Sequence, residues 1–128
     1  HLDDAGAMIE ASLAEHDEEY HLTRLDFSGG SLWVSKVEHA IGSTVRARVL
    51  ARDVSIATAA PQGSSISNIL EARIEEIRDE GPDRVNLRMS VGSGQLLLSR
   101  ITRRSRDQLG LARGMEVFAQ VKSVALIA

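Results

Sequence analysis

The stretch Val45-Arg46-Ala47-Arg48-Val49 alternates apolar and charged residues at every position. This is the period of a β-strand with one buried face. A second stretch, Val117-Phe118-Ala119-Gln120-Val121, has the same pattern, which only Phe118 interrupts. Both stretches place an alanine at the central inward position. Small inward side chains suit the narrow interior of a closed barrel, so the two stretches predict an all-β fold of small barrels.

The two stretches belong to a repeat that runs through the chain. Shifting the sequence by 61 positions aligns the segment from Ile9 to Glu15 with the segment from Leu70 to Glu76. The shift becomes 64 in the middle of the repeat and 72 at its last strand, and each change falls in a turn or loop. This pattern is typical of an internal duplication. We therefore predict two copies of one unit, at residues 1–60 and 61–128.

Each copy contains four segments with the pattern of short strands. They are Met8 to Glu15, His21 to Phe27, Leu32 to Val37 and Val45 to Val49 in the first copy, and Ile69 to Ile77, Arg84 to Val91, Leu96 to Ile101 and Val117 to Val121 in the second. Glycine turns at Gly29-Gly30 and at Gly92-Ser93-Gly94 permit positive φ between the second and third strands. Before its last strand the second copy has extra residues, where Thr102 can cap a short helix that Gly110 ends. With residues 57–65 as connector, the sequence predicts two tandem OB-like barrels and a short helix in the second repeat.

Composition excludes several functions. The chain has 128 residues, 43% of them hydrophobic, which is enough for a core, whereas 3% aromatic residues are too few for the stacking platforms of single-strand nucleic-acid binders. It has no cysteine, which excludes a disulfide framework or a thiolate metal site. The net charge is −3, with −5 in residues 1–60 (five bases, ten acids) and +2 in residues 61–128 (ten bases, eight acids). An anionic ligand should therefore prefer the second half.

The sequence offers no arrangement for catalysis. No glycine is followed by lysine, so the phosphate loop of nucleotide hydrolases is missing, and we expect no enzyme activity from this chain. His16 stands beside Asp17, Glu18 and Glu19, which we interpret as a solvated acidic turn and not a metal site. We interpret Arg103, Arg104 and Arg106 as a solvated helix face, without a role for nucleic acid or a cofactor.

Two polar segments suit a small oxyanion. Gly63-Ser64-Ser65-Ile66-Ser67-Asn68 offers hydroxyls, an amide and backbone N–H groups, and Lys122-Ser123 adds one ammonium and one hydroxyl. An oxyanion that leaves water must have each oxygen bound again by short donors. The alternative from composition alone is a flexible serine-rich linker with one surface lysine.

These segments also carry a resemblance to a family. Ser65-Ile66-Ser67-Asn68 through Ile74, Gln108-Leu109-Gly110-Leu111 and Val121-Lys122-Ser123-Val124 resemble the Mop unit of molybdate-binding proteins. The opening half, with Gly29-Gly30-Ser31-Leu32-Trp33-Val34 and Arg52-Asp53-Val54-Ser55, is similar to the C-terminal tandem Mop (TOBE-like) regulatory region of the molybdate ABC transporter's ATP-binding subunit.

The resemblance implies a domain that forms homodimers and binds molybdate or tungstate between subunits. It places the oxyanion donors on Ser65, Ser67, Asn68, Lys122 and Ser123. Two departures concern this site. Ser67 stands where the family's Ser-x-Arg-Asn motif has arginine, and the first repeat has Asp4-Ala5-Gly6-Ala7 and Leu50-Ala51 at the equivalent places.

We therefore expect a regulatory and dimerisation domain of a molybdate importer, at the cytoplasmic face of the membrane. Its partners would be a second copy, the ATPase domain and the transporter's membrane subunit, without inserting into the membrane itself. The start at His1, without methionine, leads us to expect a fragment. Three alternatives remain: a ligand-free structural dimerisation domain, a free-standing molybdate store and, last, an OB-type nucleic-acid binder.

Overall fold

The computed structural model describes residues 5–127. These residues form strands joined mostly by short turns, with one short helix. The strands are β1 (Gly6–Asp17), β2 (Leu22–Phe27), β3 (Gly30–Ser35), β4 (Thr44–Leu50), β5 (Val54–Ala57), β6 (Asn68–Glu80), β7 (Arg84–Val91), β8 (Gln95–Thr102), β9 (Glu116–Val121) and β10 (Ala125–Leu126). Helix α1 (Arg103–Leu109) follows β8, and a 3₁₀ turn (Ala51–Asp53) follows β4. The predicted all-β fold is confirmed.

The strands form two antiparallel sheets of five. Their orders are β10-β4-β1-β2-β3 and β5-β9-β6-β7-β8. Within each sheet the four predicted strands of one repeat are neighbours. The second sheet curls so that its two outer strands approach each other, and the buried Ser99 hydroxyl of β8 donates to the carbonyl oxygen of Val54 in β5 at 2.5 Å. The curl gives the sheet the shape of a small, nearly closed barrel.

Each sheet receives one strand from the other half of the sequence. β5 lies near the end of the first repeat but pairs with β9, where Val54 lies opposite Val121. β10 ends the second repeat but pairs with β4, where Ala125 lies opposite Arg48. Neither strand is among the segments predicted from the sequence. Ala57 was expected in the connector, whereas this residue ends β5 and the irregular segment begins after it.

β-bulges occur at equivalent positions of the two predicted repeats. The ladder between β1 and β2 shifts between Leu13 and Glu15. The ladder between β6 and β7 shifts between Ile74 and Glu76. These positions are related by the 61-residue shift found in the sequence. A bulge bends its strand and increases the twist, which lets a long strand follow a curved sheet.

The core crosses from one sheet to the other. The larger cluster of buried side chains includes Ile9, Leu32 and Val49 from the first sheet together with residues of every strand of the second. Ala47 and Ala119 have no exposed surface, as expected for the inward alanines. The barrels therefore share apolar contacts, which stabilise their relative position.

The helix has the expected caps. The Thr102 side chain accepts a hydrogen bond from the backbone N–H of Ser105 at 3.0 Å. Gly110 ends the helix in the left-handed conformation, with φ 64°. Arg103 and Arg104 are exposed, while Arg106 pairs with Asp79 and Asp107.

Some element ends differ from the expectation. His21 has φ 55° and lies in the turn before β2, so it is not a strand residue. β3 begins at Gly30 and ends at Ser35, because Lys36 already leaves the ladder while its N–H still donates to the carbonyl oxygen of His21.

Candidate functional site

The two polar segments meet where β6 begins and β9 ends. Asn68, the first residue of β6, lies opposite Val121, the last residue of β9. On the other side of β9, Val121 lies opposite Val54. The backbone N–H of Lys122 continues this ladder by donating to the carbonyl oxygen of Asp53 at 2.8 Å. The register thus brings together Ser67, Asn68, Lys122 and Ser123 at the edge of the second sheet that is formed by the start of β6 and the end of β9.

Four of the five candidate residues are exposed. They are Ser65, Ser67, Lys122 and Ser123. Ser65 lies beyond the ladder, in a short turn where the Ser64 hydroxyl accepts a bond from the N–H of Ile66 at 3.1 Å. The edge therefore presents short hydroxyl donors and one ammonium group to solvent. One open edge can contact only one side of a tetrahedral anion, so complete removal of water requires a second surface.

Asn68 differs from the other four because its side chain is buried and already bonded. It is 8% exposed. Its Oδ1 accepts from the backbone N–H of Trp33 at 2.7 Å, and its Nδ2 donates to the carbonyl oxygen of Trp33 at 2.9 Å. One Nδ2 hydrogen is left for an anion.

Arg52 is a further cation beside this edge. It is exposed and lies in the 3₁₀ turn that precedes β5, next to the Asp53 carbonyl that binds the N–H of Lys122. Arg52 belongs to a motif of the family resemblance, but its position near Lys122 was not predicted from the sequence. Pairing of β5 with β9 was the missing information.

The equivalent place in the first repeat has no side-chain donor within residues 5–127. There Ala7 and Ala51 are buried, and Leu50 takes the position of Lys122. A side chain on Gly6, in the position of Ser67, would come within 2.8 Å of the Val49 carbonyl oxygen. Asp4 lies outside the described residues.

The histidine beside the acidic residues has a structural role. His16 Nδ1 lies 2.9 Å from the buried Thr23 hydroxyl, and its Nε2 lies 2.8 Å from the carbonyl oxygen of His39. In the part of the chain that the structure describes, no group of three or more side chains is arranged to hold a metal ion.

Charged groups with shifted pKa values lie elsewhere. A hydrogen bond from Ser31, together with Arg24, lowers the pKa of Asp26. Arg78 and Arg88 lower the pKa of Glu76, and Asp107 raises the pKa of Arg106. Each of these groups is paired with an opposite charge, which indicates surface ion pairs and not an acid–base site.

Residues 64–128 match the family model of the TOBE domain. This chain belongs to the TOBE domain family. The matched part contains Ser65, Ser67, Asn68, Lys122 and Ser123, which is the complete candidate site.

Relatives of this TOBE domain are longer proteins. It is 50% identical over 127 residues to the molybdenum import ATP-binding protein ModC of Aromatoleum aromaticum, covering 99% of this chain and 33% of that protein. It is 48% identical over 126 residues to ModC of Methylococcus capsulatus, covering 98% of this chain and 35% of that protein. The chain therefore spans about a third of the length of these curated relatives.

A solved structure has the same fold. The cytoplasmic molybdate-binding protein ModG, in a crystal form with molybdate bound, superposes with a TM-score of 0.78 over 93% of each chain. Its sequence is 23% identical to this TOBE domain. The similarity confirms the predicted tandem arrangement of OB-like barrels. Among residues 5–127, no helix is both long enough and apolar enough to span a bilayer.

Proposed function

We propose that this TOBE domain is the oxyanion-binding regulatory and dimerisation domain of a molybdate importer's ATP-binding subunit. The ligand is molybdate or tungstate. The support from comparison is the alignment of almost the whole chain with ModC proteins, of which it spans about a third. In such a subunit the ATPase domain, the membrane subunit and a second copy are the partners, at the cytoplasmic face of the membrane.

One observation carries the proposal: strand register brings Ser67, Lys122 and Ser123 to the same exposed edge. The hydroxyls and the ammonium group are small donors, which suits a tetrahedral anion whose four oxygens each need a partner. Ser65 and the remaining Nδ2 hydrogen of Asn68 extend the same donor set.

A second copy supplies the surface that the open edge lacks. Small barrels leave apolar and strand-edge surface that a two-fold partner can cover. Met8, Leu96 and Ile127 are large apolar side chains that remain exposed in a single chain. We expect a homodimer that buries more than about 1,000 Å² in total. Light scattering at high protein concentration tests this, and a monomeric mass would contradict it.

Regulation requires that the dimer has two arrangements with different affinity for the anion. The anion then stabilises the arrangement that binds it more tightly, and this arrangement acts on the ATPase domain. An anion with equal affinity for both arrangements would have no effect.

Calorimetric titration with sodium molybdate, tungstate and sulfate tests the binding function. Hydrogen bonds to a charged group contribute about 1.5–3 kcal/mol each, so Lys122→Ala should weaken molybdate binding by about ten- to a hundredfold. Ser65→Ala should cost less, because it removes a neutral donor. Lys36→Ala is the matched control, since this lysine pairs with Glu18 in the first half of the chain.

The ligand-free structural domain is the second candidate. It is favoured by Ser67 in the place of the family's arginine and by the engagement of Asn68 with Trp33. A stable dimer that shows no heat with any of the three anions would establish this alternative. Molybdate binding that Lys122→Ala leaves unchanged would refute the proposed site.

A further inference from the structure

Asn68 joins the two sheets beside the candidate site. Trp33, which it binds, lies in β3, the outer strand of the first sheet. The outward N–H and C=O groups of an outer strand have no strand to pair with. The Asn68 carboxamide binds both groups of the same residue, at 2.7 and 2.9 Å, and so takes the place of a neighbouring strand.

The same residue is fixed to the oxyanion site through its backbone. It directly follows Ser67, and its partner Val121 directly precedes Lys122. Asn68 therefore lies between the anion donors on one side and the first sheet on the other. A displacement of the start of β6 must therefore either move Trp33 or break its two bonds to Asn68.

The network continues beyond Trp33. Arg24 lies opposite Trp33 in β2, with its guanidinium carbon 6.0 Å from the centre of the indole ring. Arg24 is itself held by ion pairs to Glu15 at 2.7 Å and to Asp26 at 3.0 Å. The indole ring of Trp33 thus connects this residue to the charged side chains of the first sheet.

The duplicated junction between β1 and β8 lacks this connection. Ala7 occupies the position of Asn68 in the first repeat. The junction is instead bridged by Gln95, whose Nε2 donates to the carbonyl oxygen of Met8 at 3.1 Å. A single longer bond, from a half-buried side chain, holds the sheets less firmly than two bonds from a buried one.

We propose that Asn68 is a positioning residue that transmits occupancy of the oxyanion site to β3 of the first sheet. This inference rests on the proposed function, because it requires an anion at Ser67 and Lys122. A bound anion holds the ends of β6 and β9 in one arrangement, and Asn68 then holds Trp33. Linkage makes the effect reciprocal, so a fixed Trp33 backbone also raises the affinity for the anion. The role is separate from any bond that the second Nδ2 hydrogen makes to the anion.

Amide hydrogen exchange of the complete chain, resolved by NMR, tests the inference with sodium molybdate as the probe. The Trp33 amide should exchange slowly, and saturating molybdate should slow it further. Asn68→Ala should accelerate this exchange about ten- to a hundredfold and abolish the response to molybdate. Calorimetry of the same variant should show weaker binding. Gln95→Ala is the matched control, and should leave both the exchange of Trp33 and its response unchanged.

The exchange and calorimetry measurements test separate claims. Exchange at Trp33 that Asn68→Ala does not change would exclude the connection itself. Molybdate that binds by calorimetry without altering the Trp33 amide would exclude the transmission. If Asn68→Ala does not fold, the unmodified chain still decides, because molybdate should affect the amide of Trp33 and not that of Met8. Absence of molybdate binding would refute both the proposed function and the transmission. The effect of Asn68→Ala on Trp33 exchange in buffer would then still test the connection between Asn68 and Trp33.

Discussion

Replacing Gly92 with alanine should destabilise the protein through one close contact between the two repeats. Gly92 has φ 59°, and a Cβ atom there would lie 2.5 Å from the backbone nitrogen of Gly29 and 2.5 Å from the carbonyl carbon of Ser28. Both atoms belong to the glycine turn of the first repeat. They are backbone atoms, so the contact cannot be relieved by a side-chain rotation. The two turns would have to separate.

The expected loss has two parts. The left-handed conformation costs alanine about 1–2 kcal/mol, and forcing an extra carbon into a packed contact costs about 1–3 kcal/mol more. Gly92→Ala should therefore lower the free energy of unfolding by about 2–5 kcal/mol. Gly110→Ala is the matched control, because this glycine has φ 64° and open space around its Cβ position. Gly110→Ala should therefore lose only the cost of the left-handed conformation for alanine, about 1–2 kcal/mol.

Urea unfolding of both variants, with the slope m compared to that of the unmodified chain, provides the measurement. The difference in unfolding free energy between Gly92→Ala and Gly110→Ala gives the contribution of the contact between the turns, since the backbone strain of the two variants is nearly equal. Equal losses of unfolding free energy for Gly92→Ala and Gly110→Ala would contradict this prediction, because they would mean that the turns separate without cost.

Three further changes have defined outcomes. Ser99→Ala should lower the free energy of unfolding by about 1–3 kcal/mol in urea, because it leaves the buried carbonyl oxygen of Val54 without its bond; an unchanged midpoint would show that water replaces the hydroxyl. The hydrogen bond from Ser31 and the ion pair with Arg24 lower the pKa of Asp26, so they stabilise the folded chain above the ordinary aspartate pKa of about 3.9, and this contribution is lost as the pH falls below that value. Asp26→Asn should therefore reduce stability near neutral pH but not in acid, and high salt should reduce the difference because the group is exposed; a loss that persists in acid would contradict this. Ser67→Arg should tighten molybdate binding in calorimetry, because it restores the cation of the family motif; weaker binding would place the site elsewhere.

The strands that could be predicted from sequence are those whose periodicity extends over several residues. Val45 to Val49 alternates without interruption, and its inward Ala47 is fully buried. β10 has two residues, which is too short for any period to be detected. β5 has four residues, and its partner β9 lies more than 60 residues away in the chain. Nothing local to Val54 indicates that pairing.

The candidate site could be predicted as a set of residues but not as an arrangement. The motif pointed to Asn68 as a donor to the anion, which stays a prediction. Its bonds to Trp33 depend on the neighbourhood of β3 and β6, which belong to different repeats. The position of Arg52 beside Lys122 likewise depends on the exchange of β5. These features arise from contacts between the copies, and a single repeat does not encode them.

The exchange of outer strands also determines the order in which the protein can form during synthesis. The outer edge of β4 is complete only when β10 pairs with it, and 76 residues separate Leu50 from Leu126. At about 5–20 residues per second, the ribosome needs roughly 4–15 s to make that interval. During this time the first sheet has an open edge of the kind that pairs with other chains. The exposed residues of β4 are Thr44, Arg46 and Arg48, and the two arginine charges discourage such pairing until β10 arrives.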